Sequence, residues 1–332
     1  MKILLIGPVP PPHGGISVHV MELARQIREA GGTCAVLDTR RAWRRLALLQ
    51  YVRDRWTIHL HTSGHGWKSW AIALLCGLTG RRAVLTLHSG LLPSYLSAST
   101  SKRMLAAAVC ALYDRVICVN NAIRDALPCS RTEVLPACLP VRGAGTIRDV
   151  ALQQWIETHR PLLSTALFFR PEYGFDVLLA AIDILRRSHP EIGCIVMGSG
   201  EQRELAERQL RDFALEPHVL LAGDVDHGTC LSLMERCDIF VRATHHDGDS
   251  ISVREAMSLG TPVVATHVGT RPRGVILCRP GDPQDLAKKV ESALNKPLSA
   301  PAPSDGCFDR LMEIYDQASR KTRLYDAARA GA

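Results

Sequence analysis

Short apolar runs alternate with helix-length segments along nearly the whole chain, and the series restarts halfway. In the first half Lys2–Ile6, Cys34–Leu37, Thr57–Leu60, Ala83–Leu87 and Arg115–Val119 read as buried strands, with Ser17–Ala30, Trp67–Leu78 and Ser101–Tyr113 as helices between them. Strand–helix alternation of this kind implies a parallel sheet covered by helices on both faces. After Glu133-Val134-Leu135-Pro136 comes a polar, glycine-containing stretch near Arg142–Thr146, read as a linker. Strands Ser164–Phe169, Gly193–Met197, Val219–Ala222, Ile239–Arg242, Pro262–Ala265 and Gly274–Cys278 then alternate with helices Gly174–Ser188, Gln202–Phe213, Gly228–Arg236, Ser252–Leu259 and Pro283–Asn295. Pro297–Ser304 mark a loop before a last helix, Phe308 to about Asp326.

A chain of 332 residues exceeds what one hydrophobic core usually organises. The expected fold class is therefore α/β, with two Rossmann-like doubly wound domains. Their expected bounds are 1–145 and 146–305, with a C-terminal helix over 306–332 returning towards the first domain. Units of this kind bind ligands at strand C-terminal ends, so the site is expected in a cleft between the two.

Composition narrows the function. Apolar residues are 46% and charged residues 22%, ordinary for a soluble globular protein. The amino terminus, Met1-Lys2-Ile3-Leu4-Leu5-Ile6-Gly7, has too short an apolar run for a secretory signal, which needs about 7–15 residues. Trp70–Leu78 is too short for a bilayer span of about 20 residues. A cytoplasmic protein is expected. The 11 cysteines are odd in number and scattered without a Cys-x-x-Cys pair, so structural zinc is not expected from them and buried thiols are.

The net charge of +7 fits nucleic acid, an anionic membrane or an anionic substrate. Aromatics are 5% and scattered, without the basic interleaving of a nucleic-acid platform, so no nucleic-acid partner is expected. Basic residues concentrate between Arg40 and Trp56, including Arg41, Arg44 and Arg45, where Trp43, Leu46, Leu49 and Val52 share a helical face. Such a helix either packs on its own sheet with a solvated basic side or rests peripherally on anionic lipid headgroups.

Two segments carry chemistry. The first strand ends in Gly7-Pro8-Val9-Pro10-Pro11-Pro12-His13-Gly14-Gly15, which is not a Gly-x-Gly-x-x-Gly fingerprint. Gly14 and Gly15 at a helix start form either an anion seat or a tight turn. The stronger signal is Thr244-His245-His246-Asp247-Gly248-Asp249-Ser250-Ile251-Ser252-Val253-Arg254-Glu255-Ala256-Met257-Ser258-Leu259-Gly260-Thr261-Pro262-Val263-Val264-Ala265-Thr266. A strand there enters a polar turn, then a short helix, a Gly-x-Pro break and another strand. Backbone amides of Asp249–Ser252, with Gly248 before them, suit a diphosphate at the helix start. Glu255 suits the vicinal hydroxyls of a ribose and Asp247 those of a sugar beyond the phosphates.

At these residues the chain resembles glycosyltransferase family 4, retaining enzymes of GT-B fold among the group 1 glycosyl transferases. Their signature is Glu, seven residues, Glu, then Ala-Met-x-x-Gly-x-Pro-Val-Val-Ala. Here Asp247 is followed after seven residues by Glu255 and Ala256-Met257-Ser258-Leu259-Gly260-Thr261-Pro262-Val263-Val264-Ala265. Gly14-Gly15, Val84-Leu85-Thr86-Leu87-His88, Met197-Gly198-Ser199-Gly200, Val219-Leu220-Leu221-Ala222-Gly223 and Pro280-Gly281-Asp282-Pro283 match further motifs in order.

The resemblance implies that His88 points at the donor sugar, Asp247 contacts the transferred sugar and Glu255 holds ribose. It also implies donor contacts from Gly14, Gly15, Ser199, Gly248, Asp249, Ser250 and Ile251. His13, His61 and His65 rank below His88, as acceptor-side or structural residues. The family's arginine and its lysine five residues later are absent. Aligned on Gly174, their places hold Phe168 and Tyr173, and Tyr173 is counted among the substrate contacts. Arg170 is the nearest cation and the expected diphosphate donor, with Arg271 and Arg273 in reserve.

The implied reaction moves a sugar, with retention, from a nucleoside-diphosphate sugar to a hydroxyl acceptor, with a UDP-sugar favoured and a lipid-linked acceptor in view. No cofactor and no metal are expected. Asp247-Gly248-Asp249 has a metal-site spelling but lies at the signature's first acidic position. An inactive partner subunit is the alternative, motivated by Phe168 and Tyr173. A nicotinamide enzyme lacks its fingerprint and a Tyr-x-x-x-Lys pair.

Overall fold

The computed structural model describes residues 1–40, 45–79, 82–137, 145–295 and 306–330, with side chains omitted at 45–47 and 320–330. The chain divides into two compact units: unit 1 is Met1–Pro10, Ile16–Leu139 and Ser304–Ala332, and unit 2 is Pro11–Gly15 and Pro140–Pro303.

Unit 1 contains β1 (Lys2–Gly7), α1 (Gly15–Glu29), β2 (Thr33–Asp38), α2 (Arg45–Arg53), β3 (Thr57–Thr62), α3 (Trp67–Gly77) and β4 (Ala83–Leu87). It continues with α4 (Leu92–Ser97), α5 (Thr100–Cys110), β5 (Arg115–Cys118), α6 (Asn121–Ala126) and β6 (Thr132–Val134). The strands form one parallel sheet in the order β2-β1-β3-β4-β5-β6. Every residue of β4 is buried, as are five of six in β1 and β3. Strands covered on both faces can be apolar throughout, which is why they read as continuous runs.

Unit 2 contains α7 (Val150–Thr158), β7 (Leu162–Ala166), α8 (Phe175–Leu185), β8 (Gly193–Met197), α9 (Arg203–Asp212), β9 (Val219–Gly223), α10 (His227–Arg236) and β10 (Ile239–Arg242). Then follow α11 (Ile251–Ser258), β11 (Val263–Thr266), β12 (Ile276–Cys278) and α12 (Pro283–Leu294). Its parallel sheet has the order β12-β11-β10-β7-β8-β9. Side chains fix several helix starts: Asp149, Asp226, Ser250 and Asp282 accept from Leu152, Thr229, Val253 and Asp285 amides. Each satisfies one of the donors that a helix leaves open at its first turn. In α12, Pro283 also sits at the first turn, where its missing N–H costs nothing.

The last helix, α13 (Cys307–Ala330), belongs to unit 1. Leu311, Ile314 and Tyr315 join the core beneath Ile3, Leu5 and Val84, and Arg310 binds Glu133. Tyr315 and Ser319 reach His59 and Thr57 of β3.

Three expectations need correction. The strand expected over Ser164–Phe169 ends at Ala166, because Leu167–Gly174 turn away as a loop. In α2, Leu48 is buried and Tyr51 and Val52 pack on the core, whereas Leu49 is 62% exposed, so of the expected stripe Val52 turns inward and Leu49 does not. Trp43 and the Leu46 side chain lie outside the described residues, as do Arg41, Arg44 and the Arg45 side chain. Short elements α4, α6, α7 and β6 were not anticipated. The ten described cysteines are in no disulfide, and no described helix is long and apolar enough to cross a membrane.

Candidate functional site

Strand order reverses in unit 2 between β7 and β10, which leave their C-terminal ends side by side and send their loops to opposite sides. A doubly wound sheet opens a crevice at such a point. The two loops there are 167–174 and 243–250.

Arg242, the last residue of β10, bridges the pair by donating from Nη1 to the Ala166 carbonyl at 2.6 Å. Its Nε donates to Asp247 Oδ2 at 3.1 Å, and its guanidinium lies 4.9 Å from the centre of the Tyr173 ring. Arg271 donates to the same Oδ2 at 3.0 Å, and its other nitrogens reach the Thr266 carbonyl and the Thr244 hydroxyl. The Asp247 side chain is 10% exposed and that of Arg271 4%. Burial pushes the Asp247 carboxyl up, but the Arg242 and Arg271 guanidiniums outweigh it and hold the group below the ordinary carboxylate range.

The loop is held from both ends. His245 donates its amide to the Glu172 carbonyl, and Thr270 donates its own to the Gly248 carbonyl. Gly174 has φ +64°, and a Cβ there would collide with the Ala243 carbonyl oxygen. Only glycine fits both demands.

Glu255 lies on α11 with 6% exposure, and its Oε1 pairs with His227 Nε2 at 2.6 Å. Ser250 caps α11, so its hydroxyl serves the Val253 amide at 3.4 Å. The Asp249 carboxylate is fully buried against Arg254, whose Nε lies 2.9 and 3.0 Å from its two oxygens. Ile251, 5% exposed, starts the helix, and Gly248 donates its amide to Asp247 Oδ1. Ser199 accepts the Phe169 amide through its carbonyl at 3.0 Å. Within unit 2, Gly14 lies against Phe168, where a Cβ would fall 2.5 Å from the ring, and Gly15 approaches Ile251. The His13 amide donates to Asp224.

The expected cations separate. Arg271 joins Asp247, whereas Arg170 is exposed with its guanidinium 5.7 Å from the Phe168 ring centre, and Arg273 is exposed. Sequence reasoning missed Arg242 and His227. A lone arginine closing the apolar run Ile239–Arg242 was the available signal for the first; nothing in the sequence marks the second.

In unit 1, His88 follows β4 and donates its amide to the Thr62 carbonyl. Its Nε2 lies 3.2 Å from His61 Nδ1, and the His19 ring of α1 packs against both. His59 sits beneath, between Tyr315 Oη at 2.6 Å and Thr86 Oγ1 at 2.7 Å. Burial, reinforced by the neighbouring imidazoles, pushes His59 down to about 3 and His61 and His88 well below the ordinary range. Burial likewise takes His19 to about 4. His65 lies in the loop beyond β3 and is not one of the cluster.

Residues 160–296 match the family model described as glycosyl transferases group 1. The glycogen synthase of Mycobacterium tuberculosis is 30% identical over 169 residues, covering 48% of this chain and 41% of that protein. One chain of the human phosphatidylinositol N-acetylglucosaminyltransferase is 25% identical over 307 residues, covering 85% of this chain and 60% of the relative. The chain thus spans about half the length of the curated relatives it matches. Anabaena HepE, solved in complex with UDP-glucose, superposes with a TM-score of 0.72 at 17% identity, covering 98% of this chain and all of that one. With its two six-stranded parallel sheets, the chain has the GT-B glycosyltransferase fold.

Proposed function

We propose that this chain, whose residues 160–296 match the group 1 glycosyl transferases, moves a sugar from a nucleoside-diphosphate sugar to a hydroxyl acceptor with retention of configuration. The observation that carries this reading is the β10–α11 segment. It sets a buried Glu255 and an arginine-held Asp247 at the switch point of a sheet inside the matched region. A carboxylate with two acceptor oxygens can bind two adjacent ribose hydroxyls, replacing the single contact to His227. UDP is the favoured nucleotide, supported by the UDP and UDP-glucose held by structural neighbours.

His88 is assigned to the donor sugar and Arg170 to the diphosphate. As the leaving phosphate gains charge, a positioned guanidinium stabilises it more than it stabilises the ground state. The leaving oxygen takes the acceptor's proton, so the step needs neither a separate base nor a metal ion. A phosphoinositide-class lipid acceptor is supported by the human relative and by the basic stretch from Arg40 to Arg55. The protein would then work at the cytoplasmic face of a membrane as a peripheral enzyme. Binding to anionic vesicles that weakens with salt, and on replacing Arg40, Arg41, Arg44 and Arg45, supports that part; no binding at low salt removes it.

The donor assignment is tested by thermal unfolding with UDP-, GDP- and ADP-sugars, without added metal, on the wild type and Glu255→Ala. A ligand at 100 times its Kd adds about 2.7 kcal/mol, which for a unit of this size raises Tm by roughly 5–10 °C. One nucleotide series should give that shift and lose it in the variant. A flat response to every nucleotide, with no donor hydrolysis, would favour an inactive partner subunit.

A further inference from the structure

We propose that His19, His61 and His88 form a binding site in unit 1 for one divalent transition-metal ion of the zinc class. Nothing in the transfer reaction calls for such a site; it is the placement of the rings that points to it. Their centroids lie 5.2, 5.2 and 5.4 Å apart, a nearly equilateral triangle. Zinc binds imidazole nitrogen at about 2.0–2.1 Å, which puts each ring centre roughly 3.2 Å from the ion and three tetrahedrally disposed rings about 5.2 Å apart. The observed triangle has that size.

The ligand atoms agree with the ring centres. One nitrogen from each ring can be chosen so that all three lie within 4.8 Å of one another. A filled tetrahedral site needs about 3.3 Å between nitrogens, so turning the rings inward closes the remaining gap. His61 Nδ1 and His88 Nε2 are already 3.2 Å apart.

A further polar atom supports the assignment. His19 Nδ1 is buried without a hydrogen-bond partner, in a residue that is 7% exposed. Leaving a buried polar atom unpartnered is unfavourable, and coordination gives a lone pair what no neighbour supplies. The three histidines also line a cavity of about 20 Å³ that Leu135 and Phe308 help to close. That is room for about one water molecule, hence for one ion or for the water that completes its shell.

The ligands stand on rigid supports. His61 and His88 come from adjacent strands, with His61 opposite Thr86 in the register. His19 projects from the buried face of α1. His59 is not a ligand, because both its nitrogens are already bonded, to Tyr315 and Thr86. Its ring lies 4.0 Å from that of His61 and fixes it from below.

An occupied site engages His88, so zinc-class ions should slow sugar transfer. That consequence rests on the assignment of His88 in the proposed function; the binding itself does not. The test therefore reads binding without turnover. Full-length protein stripped with a chelator is titrated with Co(II), followed by its visible ligand-field bands and by calorimetry, and then with Zn(II). One Co(II) per chain with four-coordinate bands, displaced by one Zn(II), is the expected result. His19→Gln and His61→Gln should each weaken binding by about 100-fold or more, given that even outer-sphere changes cost 10–100-fold. His189→Gln, away from the cluster, should leave binding unchanged.

Thermal unfolding without metal reports whether each variant folds. Should His61→Gln fail to fold, His19→Gln decides. Six-coordinate bands, a thiolate charge-transfer band, or stoichiometric binding that survives His19→Gln would each overturn the assignment. So would the absence of binding at micromolar metal.

Discussion

Asp247→Asn is the most informative single change in unit 2. It keeps the shape of the side chain and removes the charge that Arg242 and Arg271 share at 3.1 and 3.0 Å. The side chains of all three are at most 10% exposed, so water replaces little of the lost interaction. Breaking a buried pair by removing one partner costs about 3–5 kcal/mol. Arg242 keeps the Ala166 carbonyl and the Tyr173 ring, and Arg271 keeps the Thr266 carbonyl, which puts the expected loss at the lower end. About 3 kcal/mol corresponds to a fall in Tm of roughly 6–12 °C for a unit of this size. Thermal unfolding at pH 7.5 measures it. Arg271→Met should then cost about 1–3 kcal/mol less in the Asp247→Asn background than in the wild type.

The pH dependence carries a sign. The folded carboxyl titrates below its ordinary value of 3.8, so its stabilisation is complete above that value and fades as pH falls through the folded pKa. The wild type and Asp247→Asn should therefore differ as much at pH 5 as at pH 7.5. A loss under about 1 kcal/mol would refute the reasoning, because exposed pairs contribute that little.

Other changes separate packing from chemistry. Arg170→Ala should leave Tm nearly unchanged, since exposed substitutions fall within about 0.5 kcal/mol, while donor turnover drops about 100-fold or more if Arg170 stabilises the leaving diphosphate; unaltered turnover removes it from the reaction. Gly174→Ala meets both the positive φ and the Ala243 carbonyl, and should cost more than about 1 kcal/mol while lowering affinity for nucleotide by displacing the 243–250 loop; wild-type stability would show that the loop yields freely. Tyr315→Phe leaves His59 Nδ1 buried without its partner, at an expected cost of about 1–3 kcal/mol by urea unfolding; a neutral result would mean that the Tyr315–His59 bond adds nothing to the hold of α13 on unit 1.

The two sheets were legible because their strands are buried on both faces and therefore apolar without interruption. Ala83–Leu87, Gly193–Met197 and Ile239–Arg242 emerge with the expected limits. Leu167-Phe168-Phe169 is just as apolar as those strands, yet it is loop. The Leu167 and Phe169 amides still reach the Met197 and Ser199 carbonyls, but the Phe169 carbonyl accepts the Gln202 amide and the Gly198 amide goes to the Gly223 carbonyl, so the ladder stops at Ala166. Periodicity cannot see such a partner. The same limit applies to α2, where Leu48 and Leu49 are equally apolar and only the packing on β1, β3 and their neighbours decides which turns inward. At the site, spacing located Asp247 and Glu255 because turn, helix and Gly-x-Pro stop are local. Their partners were not legible: His227 lies 28 residues from Glu255, and Arg271 lies 24 residues from Asp247. The histidine cluster joins residues from positions 19, 61 and 88, and no local spacing brings them together.

Two departures from the family pattern belong to one electrostatic arrangement. Asp247 is about one carbon shorter than the glutamate usual at its place, and the usual arginine and lysine are replaced by Phe168 and Tyr173. A shorter carboxylate stays close to its own backbone, where it meets the end of β10 and can be reached there by Arg242. Tyr173, standing in place of the lysine, covers that arginine with an aromatic face instead of adding a third buried cation. Arg271 completes the group from the loop after β11. One carboxylate between two guanidiniums leaves a single positive charge buried at the switch point of the sheet. A diphosphate needs positive charge near it, and a charge held in a poorly solvated place acts more strongly than one in water. Under the proposed function, then, the lost cations are offset from β10 and the loop after β11, with Arg170 supplying an exposed contact beside Phe168. Arg271→Lys distinguishes this arrangement from a purely structural one. A lysine retains the charge but cannot hold Asp247, Thr244 and the Thr266 carbonyl together, so stability should fall while nucleotide affinity falls less than in Arg271→Met. Equal affinities in the two variants would mean that the buried charge takes no part in holding the donor.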